Sequence, residues 1–166
     1  MREIKFRAWD TKTKKWIKPM FSGSICVGEN HFICVVDNKP NSSGGYTAEN
    51  PKLLPWIEAG EVEVVQYTGL KLTDGEEVYE GDILECTHWF FDGSEIDEQF
   101  IASVGFKNGS FTLENIKSKY YASYTGEENG KGICWIGAID WNQSDYRKVG
   151  NTYENPELLE ANVKEK

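Results

Sequence analysis

The fold of this chain is decided by the stretch Gln66-Tyr67-Thr68-Gly69-Leu70, which runs on through a polar segment to Tyr79-Glu80-Gly81-Asp82-Ile83. We call residues 66–83 the middle stretch. The C-terminal stretch has the same character and reads Gly150-Asn151-Thr152-Tyr153-Glu154-Asn155-Pro156-Glu157-Leu158-Leu159. Both combine residues that shape the backbone with Tyr and Leu, which anchor packing. Neither contains a recognisable catalytic set. We therefore expect them to specify a fold rather than a reaction.

The segments around these stretches have the pattern of β-strands. Residues 4–8 and 61–67 alternate apolar and polar side chains, as strands with one buried face do. Asn108-Gly109 and Asp74-Gly75 are hairpin signals, and for Asp74-Gly75 we predict a type I′ turn with positive φ at both residues. The frequent turn signals predict a mainly β chain, barrel or sandwich. One short helix is expected within residues 51–60, with Pro55 in its first turn and Gly60 at its end.

The chain has 166 residues, which suits one domain with an extension. We predict an N-terminal β-hairpin extension over residues 1–60, a β domain over 61–160 and a frayed tail over 161–166. The extension holds a loop at 39–51, rich in turn-forming residues. It also holds two hairpins. The second of them, centred on Asn30, would place Cys26 opposite Cys34.

The charge of the chain is distributed unevenly. Residues 1–19 hold seven Lys and Arg against two acids, a net of +5, and the remaining residues hold 11 bases and 25 acids, a net of −14; together they give the formal −9. An acidic body repels phosphates, so nucleic-acid binding is not expected unless the basic arm supplies it. The sequence contains no secretory signal and no apolar run of about 20 residues. We expect a cytoplasmic protein with reduced thiols.

The basic arm contains a candidate binding patch. Its members are Arg7, Trp9, Lys12, Lys14, Lys15 and Trp16. Such a patch could bind single-stranded nucleic acid, with indoles stacked on bases. The alternative, which we favour, is an ordinary hairpin, because strand pairing would bury at least one indole.

Reactive side chains are few. Cys86 with His88, or Cys34 with His31, could form a nucleophilic pair, which would need an exposed thiol with a lowered pKa. No C-x-x-C motif and no zinc-module spacing occurs, so we expect no metal and no cofactor. No known catalytic cysteine or serine signature accompanies the pairs. We predict that the protein is not an enzyme, with a Cys/His-based hydrolase as one alternative.

Carboxylates are concentrated between residues 74 and 98. The ten acids are Asp74, Glu76, Glu77, Glu80, Asp82, Glu85, Asp92, Glu95, Asp97 and Glu98. Paired carboxylates could hold Mg²⁺ in a hydrolase site, or an array of them could imitate the phosphates of DNA. A solvated face is the interpretation that we favour.

Together with Arg2-Glu3-Ile4-Lys5-Phe6-Arg7-Ala8-Trp9-Asp10, the two stretches resemble the YopX-like family of phage and prophage proteins. The resemblance implies an SH3-type β-roll or barrel from about Val62 to Leu159, with the N-terminal hairpins as an added β layer. It also implies a phage- or prophage-encoded accessory protein. It implies no chemistry, because the family's molecular role is not established.

The family-motif residues are expected to act structurally. They are Tyr67, Gly69, Tyr79, Gly81, Asp82, Tyr153, Asn155 and Pro156. We expect Gly69 and Gly81 to occupy turns that exclude a Cβ, and Asp82 to bond a neighbouring backbone amide. Asn155-Pro156 would bend the chain before a short helix.

A non-enzymatic protein-interaction module fits these observations best. The hairpin extension would leave open sheet edges that a second copy can pair with, so we predict a homo-oligomer. An unidentified host or phage protein is the other expected partner. We expect no membrane partner, and a role with nucleic acid is left open as the alternative.

Overall fold

The computed structural model describes residues 3–18, 24–27, 33–40, 46–54, 61–91, 95–116, 132–135 and 146–160. Within these ranges the chain forms twelve strands and one short helix. The elements are β1 (Phe6–Asp10), β2 (Lys15–Ile17), β3 (Ser24–Val27), β4 (Ile33–Pro40), β5 (Tyr46–Leu54), β6 (Val62–Lys71), β7 (Glu77–Tyr79), β8 (Asp82–Phe91), β9 (Glu95–Lys107), β10 (Ser110–Ile116), β11 (Gly132–Trp135), β12 (Tyr146–Asn151) and α1 (Glu157–Glu160). The predicted mainly β fold is confirmed.

The chain divides into two compact units, Met1–Tyr67 and Thr68–Lys166. β6 begins in the first unit, where it pairs with β1, and ends in the second, where it lies beside β7. The domain boundaries drawn from the sequence stay predictions, and the tail 161–166 lies outside the described residues.

The first unit contains both predicted N-terminal hairpins. β1 pairs antiparallel with β2, and Trp9 lies opposite Trp16. β3, β4 and β5 form a separate three-stranded antiparallel sheet in that order. Its register places Cys26 opposite Cys34, as predicted. The buried core is formed by Ala8, Ile25 and Val62, with Phe6, Ile17 and Val64 packed against it.

The predicted loop at 39–51 is wrong over most of its length, because β4 extends to Pro40 and β5 begins at Tyr46. β5, which contains Pro51, lies at the edge of its sheet and pairs with one strand only. A proline, which lacks a backbone N–H, is tolerated in such an edge strand. The register also shifts beside Pro51, as at a bulge. The short helix predicted to begin at Pro55 and to end at Gly60 lies outside the described residues, and residues 51–54 belong to β5.

The second unit is built on a five-stranded antiparallel sheet of order β11-β10-β9-β8-β12. One antiparallel sheet of the chain curls into half a barrel, which agrees with the predicted small barrel, while the SH3-type assignment stays a prediction. The buried core comprises Leu72, Val78, Leu84, Cys86, Phe100, Ala102, Val104, Phe111, Leu113, Ile116 and Tyr146. Full burial of one large aliphatic side chain stabilises a fold by about 1.5–3 kcal/mol. Burial of this core therefore stabilises the second unit.

The two predicted hairpin turns differ in type. Asn108 and Gly109 have φ of 51° and 81°, the two positive values of a type I′ turn. At the other turn Gly75 has a φ of 84° and Asp74 does not have a positive φ, so the predicted type I′ turn is wrong there. Leu72 N–H donates to Glu76 O and Gly75 N–H donates to Leu72 O, which is the longer turn ending in a left-handed glycine. Asp74 Oδ1 supports it by accepting the Glu76 N–H at 2.8 Å.

Gly109→Ala is expected to destabilise the chain by about 1–2 kcal/mol, since a Cβ is disfavoured at positive φ. No atom lies within 4 Å of the place that this Cβ would occupy, so the loss would report backbone conformation alone. Urea unfolding would measure it. Gly109→Asn is the matched control and should lose less, because Asn tolerates the left-handed region. Equal losses for the two variants would contradict the assignment.

Asp10 should titrate below its ordinary pKa of 3.8. Its Oδ1 accepts the N–H groups of Thr13 and Lys12, both at 2.9 Å. Hydrogen bonds from the backbone and side chain of Thr13, followed by the Lys12 backbone, lower the pKa of Asp10. A lowered pKa means that this support of the turn is complete above 3.8 and is lost as the pH falls through the folded-state value.

An NMR titration would test this prediction through the Asp10 carboxyl and the Thr13 amide, whose chemical shifts should change together. Asp10→Asn is the control, since its Thr13 amide should show no such transition. A midpoint for Asp10 at or above 3.8 would disprove the described turn.

Candidate functional site

The middle and C-terminal stretches meet in the second unit. β8 begins at Asp82 and β12 ends at Asn151, and these residues lie opposite each other in the antiparallel pair. Gly81 N–H donates to Val104 O at 2.7 Å, and Gly81 O accepts the Thr152 N–H at 2.8 Å. The turn before β8 is therefore bonded both to β9 and to the turn after β12. We call the meeting point, formed by Tyr79, Gly81, Asp82, Lys148, Asn151, Tyr153 and Asn155, the signature cluster.

Two constraints require a glycine at position 81. Its φ is 81°, in the left-handed region where other residues are strained. A Cβ there would also lie 2.8 Å from Cε2 of Tyr153, closer than real contacts allow. Gly69 has a φ of 93° and so meets the first of these constraints, but it lies within β6, so the turn predicted at Gly69 is wrong.

Asp82 is the centre of the signature cluster and is 3% exposed. Its Oδ2 accepts the Tyr79 N–H at 2.8 Å, a backbone bond of the kind expected from the sequence. Its Oδ1 lies 3.1 Å from Nζ of Lys148, and the same Nζ lies 3.1 Å from Oε1 of Glu76. A buried carboxylate is tolerated when it is paired and hydrogen-bonded. Asp82 meets that condition.

Asn151 organises the turn that follows β12. Its Oδ1 accepts the N–H groups of Tyr153 and Glu154 at 3.0 and 2.9 Å, and its Nδ2 donates to Oε2 of Glu154 at 2.6 Å. Asn155 N–H donates to Asn151 O at 2.9 Å, and Pro156 then leads into α1, which packs against β9. This segment is held by its own side chains.

Sequence reasoning did not single out Asn151 or Lys148. An Asn two residues before Tyr153 is the signal of a turn in which the side chain bonds backbone amides, and it could have identified Asn151. Lys148 offers no such signal. A lysine in a strand is typical of a solvent-facing position, whereas this side chain is only 13% exposed.

Two of the three motif tyrosines are buried, in different surroundings. Tyr79 is buried, and its hydroxyl donates to Oε2 of Glu77 at 2.9 Å. Tyr67 is also buried but belongs to the first unit, where Nζ of Lys5 lies 5.5 Å from its ring centroid. Neither hydroxyl is presented in an open cleft, since both residues are at most 4% exposed.

The candidate basic patch lies on the β1–β2 hairpin. Trp9 is 3% exposed and packs edge to face against Trp16, with 5.1 Å between ring centroids. Lys12 forms an ion pair with Glu61, while Lys14 and Lys15 are exposed. The buried Trp9 indole cannot stack on a base without local unfolding. This agrees with the ordinary-hairpin interpretation.

Among the described residues, no catalytic site is formed by cysteine or by grouped carboxylates. Cys86 is 1% exposed, and its thiol points to Leu84 O at 3.8 Å; a buried structural thiol of this kind is unreactive. The side chains of His31, Cys34 and His88 lie outside the described residues, so the Cys–His pairs stay predictions. Within the described part of the chain, no three His, Cys, Asp or Glu side chains are grouped to hold a metal ion.

The described acids between residues 74 and 91 do not form one array. Asp82 is buried, Glu77 accepts a bond from Tyr79, and Glu85 pairs with Arg147 at 2.7 Å. The described residues also contain no helix that is long and apolar enough to cross a membrane.

Comparisons with known proteins agree with this geometry. The chain is similar to the crystal structure of protein EF1440 from Enterococcus faecalis, with 26% sequence identity and a TM-score of 0.55. That match covers 96% of this chain and 99% of the other. No curated protein matches the sequence. A family model described as YopX protein matches residues 5–160, which include both signature stretches. The chain therefore belongs to the YopX family.

Proposed function

We propose that this protein is a phage- or prophage-encoded accessory protein that acts by binding other proteins and has no enzymatic activity. The observation that carries the proposal is the internal bonding of the signature cluster. Asp82 and Asn151 are residue types that often act as bases or ligands. Here their oxygens accept backbone N–H groups, and Asp82 also pairs with Lys148. The residues of the family signature then act structurally, by joining the turn before β8 to the segment after β12.

Self-association is part of the proposal. Among the described strands, β12 lies at one edge of the five-stranded sheet, and β3 and β5 lie at the edges of the three-stranded sheet. An edge strand presents backbone groups that can pair with another chain. Identical subunits usually close into a symmetric assembly. A homo-oligomer that binds an unidentified host or phage protein fits these features.

Phe106 is the contact residue that we propose for such an interface. It is 49% exposed at the end of β9, and its ring packs edge to face on the buried Phe111 with 5.1 Å between centroids. The type I′ turn at Asn108 and Gly109 follows directly. An aromatic side chain that already packs on a neighbouring ring loses little conformational entropy on binding, and aromatic anchors dominate interface energies.

Single-strand binding by the basic hairpin is the second candidate. Lys14, Lys15 and Lys18 are exposed and form no ion pair with any described residue. Since Trp9 is buried, binding would depend mainly on charge and would fall steeply with added salt.

Phe106→Asp should weaken self-association at least about tenfold, because a charge would have to be buried in the interface. Sedimentation of the full chain over a concentration series would measure this. Thr73→Asp is the matched control, since it adds the same charge at an exposed turn residue of another hairpin and should leave assembly unchanged. Circular dichroism would establish that both variants are folded.

A wild-type chain that is monomeric at every concentration and captures no protein from infected or uninfected host extract would end the proposal. Retention of single-stranded oligonucleotides at low salt, lost on Lys14→Glu with Lys15→Glu, would establish the second candidate instead.

Lys148→Met should destabilise the fold by about 3–5 kcal/mol, because it leaves the buried Asp82 carboxylate without its counter-charge. Glu76→Gln is the control and should lose less than about 1 kcal/mol, since the Glu76 side chain is in contact with water, which screens its ion pair. Urea unfolding would give both values. Asp82→Asn combined with Lys148→Met should lose less than the sum of the single changes. Strict additivity, or a Lys148→Met loss no larger than that of Glu76→Gln, would contradict a structural role for the pair.

A further inference from the structure

Cys26 and Cys34 occupy directly opposed positions in the β3–β4 hairpin. The antiparallel register pairs Ile25 with Val35, Cys26 with Cys34, and Val27 with Ile33. Opposed residues of an antiparallel pair have Cα atoms about 4.5–5.5 Å apart. A disulfide joins Cα atoms that are about 4.4–6.8 Å apart. The backbone register alone therefore satisfies the distance that a disulfide requires.

We propose that Cys26 and Cys34 are a reversible redox site, which closes to a cross-strand disulfide in the presence of a small-molecule disulfide and reopens when thiols are in excess. This inference does not depend on the proposed function. It adds a covalent modification that the hairpin can undergo and that would change how firmly β3 is held.

The other cysteines have different register partners. Cys86 on β8 lies opposite Phe100 on β9 and Tyr146 on β12, and it is buried. Cys134 on β11 lies opposite Leu113. In the described pairings of all three sheets, a cysteine faces a cysteine at this hairpin alone. β3 is also an edge strand of its sheet, so no second strand of that sheet pairs with it among the described residues.

The reaction balances with oxidised glutathione as the oxidant. One cysteine thiolate attacks a glutathione sulfur, the glutathione disulfide breaks, and one glutathione thiolate leaves. The second cysteine thiolate then attacks the mixed disulfide and releases the other glutathione. Two thiols lose two protons and two electrons, and two molecules of reduced glutathione are formed.

Closure would fix the register of β3 on β4. A slip of one residue separates opposed side chains, so a covalent link between them excludes it. β3 also supplies Ile25 to the core of the first unit, where it packs with Ala8 and Val62. Holding β3 in place therefore also holds Ile25 in that core. A link between nearby residues restricts the unfolded chain, which raises the stability of the folded form.

The test uses the reduced full-length chain incubated with oxidised glutathione, alkylated to block free thiols, and cleaved after Glu29. Glu29 is the only acidic residue between the two cysteines, so cleavage there separates them. The two peptides should stay joined until a reductant is added, as seen by mass spectrometry. Cys26→Ser should abolish the joined species. Cys134→Ser is the matched control and should leave it unchanged.

A second measurement, of the unfolding midpoint, tests for the disulfide without cleaving the chain. The unfolding midpoint of the oxidised wild type should rise above that of its reduced form, with no such shift for Cys26→Ser. The joined species should also form to a greater extent in folded than in urea-unfolded protein. Separate glutathionylated peptides, links between copies, or equal yields in folded and unfolded chains would each overturn the proposal.

Discussion

The buried carboxylate of Asp82 is the interaction on which the second unit depends. Its two oxygens serve partners from two parts of the chain, the N–H of Tyr79 and the ammonium of Lys148 on β12. A charge that is removed from water loses several kcal/mol of solvation, and the loss is offset only when both kinds of partner are present. The turn before β8 and the pairing of β12 with β8 are therefore mutually dependent. The Asp82 carboxylate has both of its partners only when both the turn and the strand pairing have formed.

Gly81 links the same two segments by shape. The absence of a Cβ in the middle stretch leaves room for the ring of Tyr153 in the C-terminal stretch, and the backbone of Gly81 bonds Thr152. Asn151 then orders the turn that carries Tyr153, through bonds to its own neighbours. The complementary composition of the two stretches follows from this arrangement. Each contains what the other needs to close the β structure.

Local signals were sufficient for much of the fold. Alternation and turn residues act within a few positions, and so the hairpin pairing of Cys26 with Cys34 and the turn at Asn108 were predictable. The type of the turn at Asp74 depended on a bond to Glu76, and the strand over Tyr46–Leu54 depended on its place at a sheet edge. Neither can be read from the residues alone. The burial of Lys148 depends on long-range pairing and had no local signal.

The polar atoms of the signature cluster are bonded to one another, so few of these atoms are left to bind a ligand. The fold of this chain therefore does not by itself define its function. On the proposed function, the features that distinguish one partner from another lie outside the signature cluster. In the described residues these are the sheet edges, the exposed ring of Phe106 and the lysines of the β1–β2 hairpin. Apolar contact and charge respond oppositely to salt, because screening weakens ion pairs while apolar burial is maintained or strengthened. The salt dependence of binding therefore separates the aromatic surface from the basic one.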